Sequence, residues 1–173
     1  DYIEGLLSFR SVDEVFIDGC EIVGSRKCGI YVARSGGRIE GSRLSGAAEA
    51  GIWAIEGRAF TIRGNEVFDC GNGGILVNRW TKGEDGTVIS GNRVARIGAT
   101  NGGTGQYGNG INIFRADNVV VSGNHVSDCT FSAIRANSAS NITISGNQAF
   151  RSGETAIYAE FEFEGALITG NII

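Results

Sequence analysis

Three arginines, Arg79, Arg115 and Arg135, stand among aromatic and amide side chains in a segment whose pattern repeats, and these are the residues best suited to chemistry. In the frame of that repeat, the residue after the first isoleucine of each unit faces outward, giving a column of Tyr31, Trp53, Leu76, Asn112, Arg135 and Tyr158. Adjoining outward positions add Asn78, Arg79, Arg115, Asn137 and Glu160. Aromatic faces stack on sugar rings, while amides and guanidinium groups pair with hydroxyls or carboxylates. The plain alternative is that such side chains merely stack well on their neighbours in a sheet. In a lyase or epimerase acting on uronic acids, an arginine could neutralise the substrate carboxylate while a second group removes a proton. No clear base accompanies these arginines. Glu160 and Glu162 offer a different pair, because alternate strand residues lie about 6.6 Å apart, inside the roughly 5–9.5 Å that separates glycosidase carboxylates. Along with Glu164 they would project in parallel rather than converge, as a polar outer face does. The catalytic candidates are therefore Arg79, Arg115, Arg135, Glu160 and Glu162. The substrate-binding candidates are Trp53, Asn78, Tyr107, Asn112, Arg115, Arg135, Asn137 and Tyr158.

Other reactive residue types point to structure. His125 is the sole histidine, so a Ser-His-Asp triad or a histidine-based metal site has little to build on; no metal and no cofactor is expected. It falls in a column of Glu21, Arg43, Glu66, Arg93, His125 and Gln148, and a second column reads Asp69, Arg96, Asp128, Arg151. Opposite charges on neighbouring units make ladders worth on the order of 0.2–1 kcal/mol per pair. Cys70 and Cys129 occupy the same place two units apart, about 9.6 Å for stacked strands and too far for a disulfide. Cys20 and Cys28 share one unit, and all four cysteines are expected as buried free thiols.

The elements that must position these residues are legible in the repeat. Leu6, Gly29-Ile30, Gly51-Ile52, Gly74-Ile75, Gly110-Ile111, Ala133-Ile134 and Ala156-Ile157 recur at spacings of 23, 22, 23, 36, 23 and 23. A second marker follows each of them: Ile17-Asp18-Gly19-Cys20, Ile39-Glu40-Gly41-Ser42, Ile62-Arg63-Gly64-Asn65, Ile89-Ser90-Gly91-Asn92, Val121-Ser122-Gly123-Asn124, Ile144-Ser145-Gly146-Asn147 and Ile168-Thr169-Gly170-Asn171. Alternating apolar residues such as Ile30 and Val32 have the period of a strand. Strand, Gly-Asn corner, second strand and further corner predict an all-β, single-stranded parallel β-helix of about seven coils of about 23 residues. Asparagine at the corner suits left-handed backbone and an inter-coil amide ladder through Asn65, Asn92, Asn124, Asn147 and Asn171, with Ser42 and Cys20 in its place near the start. Twenty-eight glycines and no proline fit stacked strands with tight corners.

Residues 1–173 read as one domain, and the start at Asp1 without methionine and the stop inside a repeat suggest a piece of a longer solenoid. A net charge of −4 without a basic stripe argues against a nucleic-acid partner. No apolar run is long enough for membrane insertion, and no signal peptide stands at Asp1. Nothing in the sequence sets an oligomeric state. The expanded coil, residues 74–109, carries its extra length in residues 80–86 and 99–109, and solenoids lengthen loops where they bind. Both insertions adjoin the strand bearing Asn78 and Arg79, so a cleft is expected there. The glycine-rich run lacks the Gly-Lys-Ser/Thr of a phosphate loop.

The small-Ile-x-Val and Ile-x-Gly-Asn elements resemble the right-handed parallel β-helix repeats of the pectate-lyase-like superfamily across essentially the whole chain. More narrowly, Gln106–Arg115, Phe131–Arg135 and Tyr158–Phe161 resemble a bacterial β-helix repeat family exported by the twin-arginine route. That resemblance implies a periplasmic or secreted location and supplies no catalytic residues. Two functional classes stay open: an exported protein that binds or processes polysaccharide on one solenoid face, as a lyase, epimerase or glycoside hydrolase if catalytic, and a noncatalytic cell-envelope scaffold or adhesion module.

Overall fold

The structure, a computed structural model, describes residues 4–103 and 105–173; Thr104 of the second insertion and Asp1 lie outside the described residues. The first coil is built from β1 (Gly5–Arg10), β2 (Glu14–Asp18) and β3 (Glu21–Val23), the second from β4 (Cys28–Ala33), β5 (Gly36–Glu40) and β6 (Arg43–Ser45). β7 (Ala50–Ile55), β8 (Arg58–Arg63) and β9 (Glu66–Phe68) make the third; β10 (Gly73–Glu84), β11 (Val88–Ser90) and β12 (Arg93–Ile97) make the fourth. The fifth has β13 (Asn109–Asp117), β14 (Val120–Ser122) and β15 (His125–Cys129), and the sixth β16 (Ile134–Asn137), β17 (Ile142–Ser145) and β18 (Gln148–Phe150). β19 (Ile157–Glu160) and β20 (Ala166–Thr169) begin the seventh. Equivalent strands pair in parallel, giving two seven-stranded sheets and a six-stranded one.

Each of the first six coils therefore has three strands and not the two expected, because the short run after the corner residue pairs as a sheet of its own, as in Glu21↔Arg43↔Glu66. The first-sheet register matches the column read from the repeat: Tyr31↔Trp53, Trp53↔Leu76, Leu76↔Asn112, Asn112↔Arg135 and Arg135↔Tyr158. Stacked apolar columns fill the interior, with Ile30, Ile52, Ile75, Ile111 and Ile134 fully buried. Burying each such side chain contributes about 1.5–3 kcal/mol before the cost of ordering the chain is set against it.

The corner asparagines form the expected ladder by a different geometry. It is the preceding glycine that turns left-handed, from φ 61° at Gly19 to φ 63° at Gly170, and this frees the asparagine to point inward. Asn65 Nδ2 donates to Asn92 Oδ1 at 3.0 Å, Asn92 to Asn124 at 3.0 Å, Asn124 to Asn147 at 2.9 Å and Asn147 to Asn171 at 3.0 Å. Each Oδ1 also accepts the backbone N–H of the coil before it, and Ser42 and Cys20 continue the series at 3.0 and 3.1 Å. The charge columns pair as well: Arg43 meets Glu66 at 2.5 Å, and Arg96 and Arg151 grip Asp69 and Asp128 with two bonds each.

Two local expectations are corrected. Residues 80–84 do not form a loop but prolong β10, which bulges after Asn78 and regains its register at Gly83↔Ala116. Glu160, Glu162 and Glu164 do not share a strand: β19 ends at Glu160, and Phe161 turns the chain with φ 55°. All four cysteines are free; Cys28, Cys70 and Cys129 are buried, whereas Cys20 is half-buried. Among the described residues no helix is long and apolar enough to cross a membrane.

Candidate functional site

The described residues of the second insertion, between β12 and β13, fold back over the outer face of the first sheet. Its polar backbone must find partners, and the neighbouring coils supply them. Thr100 N–H donates to the Gly71 carbonyl at 3.0 Å, Asn101 N–H to Asn72 Oδ1 at 2.9 Å and Gly108 N–H to the Asn72 carbonyl at 2.7 Å. Asn101 Nδ2 reaches Glu49 Oε2 at 3.1 Å, and Asn109 Nδ2 donates to the Gly105 carbonyl at 2.6 Å. Arg135 Nη1 donates to that same carbonyl from the facing strand.

A cleft of about 340 Å3 lies between this loop and the sheet. Its floor carries Trp53, Leu76, Asn112 and Arg135 from four successive coils, with Asn78, Phe114 and Asn137 one step along the same strands. Gln106 and Tyr107 line it from the loop. Trp53 is held from two sides. Tyr31 meets it edge-on with ring centroids 6.4 Å apart, and Asn78 takes the amide orientation in which its Oδ1 accepts from the indole Nε1 at 3.2 Å. Asn112 is only 4% exposed, yet its side-chain oxygen has no hydrogen-bond partner among the described residues. A buried acceptor left unpaired costs about 1–3 kcal/mol, so a ligand hydroxyl or amide that donates to it recovers that cost.

Arg135 is 8% exposed and committed to Glu160: Nε donates to Oε1 at 2.6 Å and Nη2 closes the ion pair. Glu160 also accepts from Asn137 Nδ2 at 3.1 Å, and it bonds the Tyr158 hydroxyl, raising that phenol above its ordinary pKa. Tyr158 itself is exposed beside the cleft and does not line it.

Of the residues singled out from sequence, Trp53, Asn78, Tyr107, Asn112, Arg135 and Asn137 meet in this cleft, and Arg79, Arg115 and Glu162 do not. Arg79 follows Asn78 into the bulge and pairs with Glu56 at 2.7 Å on the far side of the strand end. There it also faces Asp85 at 3.9 Å, a fully buried carboxyl that desolvation raises above the ordinary range and that Thr87 bonds. Arg115 occupies a left-handed corner, donates to the Trp80 carbonyl at 2.7 Å and lies over the Phe114 ring. Glu162 is exposed beyond the Phe161 turn, and its backbone carbonyl accepts from Lys82. The two insertions consequently flank opposite ends of β10 rather than one cleft. His125 sits in the third sheet and bonds Gln148 at 3.2 Å.

Glu49, Asn72, Gln106 and Phe114 line the cleft and escaped the sequence reading. Glu49 and Asn72 share a signal that could have found them: both stand two residues before the Gly-Ile marker, a column that turns toward the outer face as the strand begins. Among the described residues no group of three or more histidine, cysteine or acidic side chains is arranged to hold a metal ion.

Comparison with known proteins agrees with this architecture. A periplasmic alginate epimerase, AlgG, superposes with a TM-score of 0.63 at 18% identity over 87% of this chain and 33% of its own. An alginate lyase from Paenibacillus sp. str. FPU-7 gives 0.59 at 22% identity over 85% and 53%. The enzymatically active domain of tailspike protein 2 of bacteriophage CBA120 gives 0.60 at 16% identity over 96% and 33%. The chain thus spans a third to about half the length of these structures, and at such identity the likeness is one of fold. No curated protein sequence matches it. The family described as "Right handed beta helix region" matches residues 80–173, more than half of the chain, and with the stacked parallel coils seen here it follows that this protein belongs to the right-handed β-helix family.

Proposed function

We propose that this protein binds polysaccharide in the cleft between the first sheet and the 98–108 loop, as an exported protein working in the periplasm or outside the cell. The observation that carries the reading is the buried side-chain oxygen of Asn112, unpaired among the described residues and set among Trp53, Tyr107 and further amides. Sugar rings offer what that set needs: hydroxyl donors for the amide oxygen and C–H faces for the aromatics. The volume falls in the ~300–1,000 Å3 range of small-molecule sites, enough for a short stretch of a chain that enters and leaves along the groove. Structural neighbours that are alginate enzymes and phage tailspikes support a polysaccharide ligand, and a periplasmic member among them supports export. Buried free thiols suit a protein that folds before it is exported, as the twin-arginine route requires.

Binding without bond cleavage is favoured by the state of Glu160. A glycosidase acid or base must reach the scissile oxygen or a water, whereas Glu160 already accepts from Arg135, Asn137 and Tyr158. Titrating the protein with a panel of oligosaccharides tests the proposal. Trp53→Ala should weaken binding about tenfold or more, as loss of a stacking aromatic does, and Arg115→Ala, outside the cleft, should leave it unchanged. Absence of binding to every glycan, or equal affinity for wild type and Trp53→Ala, would refute it.

A further inference from the structure

Two charged side chains line the cleft among the described residues, Glu49 and Arg135. They are not equivalent. Arg135 brings no free positive charge, since Glu160 takes its Nε and Nη2 and the Gly105 carbonyl takes its Nη1. Its side chain is a strut between strand and loop rather than a hand extended to a ligand. Glu49 accepts from neutral amides, Asn72 Nδ2 at 3.0 Å and Asn101 Nδ2 at 3.1 Å, and among the described residues no ion pair to it forms: Lys27, stacked on it one coil below, meets it through the backbone, where the Glu49 N–H donates to the Lys27 carbonyl at 2.9 Å. The charged lining side chains together with Glu160 behind Arg135 carry one more negative charge than positive. The remaining polar lining is amide and phenol: Asn72, Asn78, Gln106, Tyr107, Asn112 and Asn137. Arg79 and Arg115, which could have received a carboxylate, are turned away to Glu56 and to the Trp80 carbonyl.

We infer that the cleft selects a neutral glycan and disfavours a polyuronate, although two of the structural neighbours act on alginate. The inference rests on the polysaccharide reading and concerns the charge of the sugar it takes. A uronate carboxylate in a partly desolvated cleft meets Glu49, which no ion pair neutralises, and finds no available guanidinium among the described lining residues, whereas a hydroxymethyl group in the same place satisfies the amides at little electrostatic cost. Electrostatic mismatch of this kind acts mainly as discrimination between ligands of one shape.

Glycans of equal linkage and differing charge provide the test: β-1,4-mannan against β-1,4-mannuronan oligomers, and the corresponding pairs of glucose with glucuronate and galactose with galacturonate, measured by calorimetry. The neutral member of whichever pair binds should be favoured about tenfold or more. Glu49→Gln should narrow the gap by strengthening uronate binding, and raising the salt concentration should do the same, because screening weakens a repulsion. A uronate bound as tightly as its neutral partner, or one whose affinity falls with salt, overturns the inference while leaving the polysaccharide reading intact. If no member of any pair binds, both fail together. Should Glu49→Gln unfold, the salt dependence of the wild-type protein decides by itself.

Discussion

Asn112 and Arg135 have similar burial and opposite circumstances, and the contrast leads to separate expectations. Asn112 keeps an unpaired oxygen, so Asn112→Ala should cost about tenfold in glycan affinity while leaving urea stability equal or slightly higher, because it removes an uncompensated buried acceptor. The thiols follow from burial alone. Desolvation pushes Cys28 and Cys129 up to about 12 and Cys70 to about 11. A thiol reagent at pH 8 should therefore modify Cys20 in the native protein and the other three only on unfolding. At the surface, the Arg151 guanidinium holds the Asp128 carboxyl down to about 2. A carboxyl lowered in the folded state adds stability above its unfolded pKa of ~3.9 and loses that contribution as pH falls toward 2. The advantage of wild type over Arg151→Ala in urea midpoint should thus be present at pH 6 and mostly lost at pH 2, disappearing as pH falls through that value.

Among the elements, the corner ladder and the close approach of coils set the tolerances. Removing Asn124 leaves the Asn92 N–H and the Ile89 carbonyl without their side-chain partners inside the solenoid. Asn124→Ala should cost about 3 kcal/mol or more in denaturant unfolding, well above an ordinary surface change. Gly74 stands where β10 and β13 come together, and a methyl group there would lie 2.3 Å from the Gly110 carbonyl oxygen. The coils would have to part, so Gly74→Ala should be as damaging as the ladder variant despite adding one carbon. By contrast, the Ala133 that follows Gly110 in the same column shows that the sixth coil leaves room for a methyl.

For the molecule as a whole, the solenoid separates stability from binding. Each coil packs on its neighbours, and the 98–108 loop lies outside that stack. Replacing residues 99–107 with a short turn should keep the β-sheet circular dichroism and cooperative unfolding, and abolish glycan binding. The number of coils, the outward column and the pairing of equivalent strands were all legible in the sequence, since a parallel stack repeats the same spatial demand every coil: small residue, buried isoleucine, corner glycine, inward asparagine. Even the residues that break the repeat, at 80–86 and 99–109, were visible as excess length. What they do was not visible, because insertions have no repeating partner to fix their geometry. Only the folded chain shows that the first insertion extends β10 and carries Arg79 away to Glu56, while the second closes over Trp53 and Asn112. It also decides the pairing of Arg135 with Glu160, 25 residues apart in sequence. Charges that the sequence displayed as a potential carboxylate-binding face are, in three dimensions, largely spent on one another: a side chain's nearest counter-charge depends on the direction each coil gives it, and that direction is set by corners and bulges rather than by the repeat.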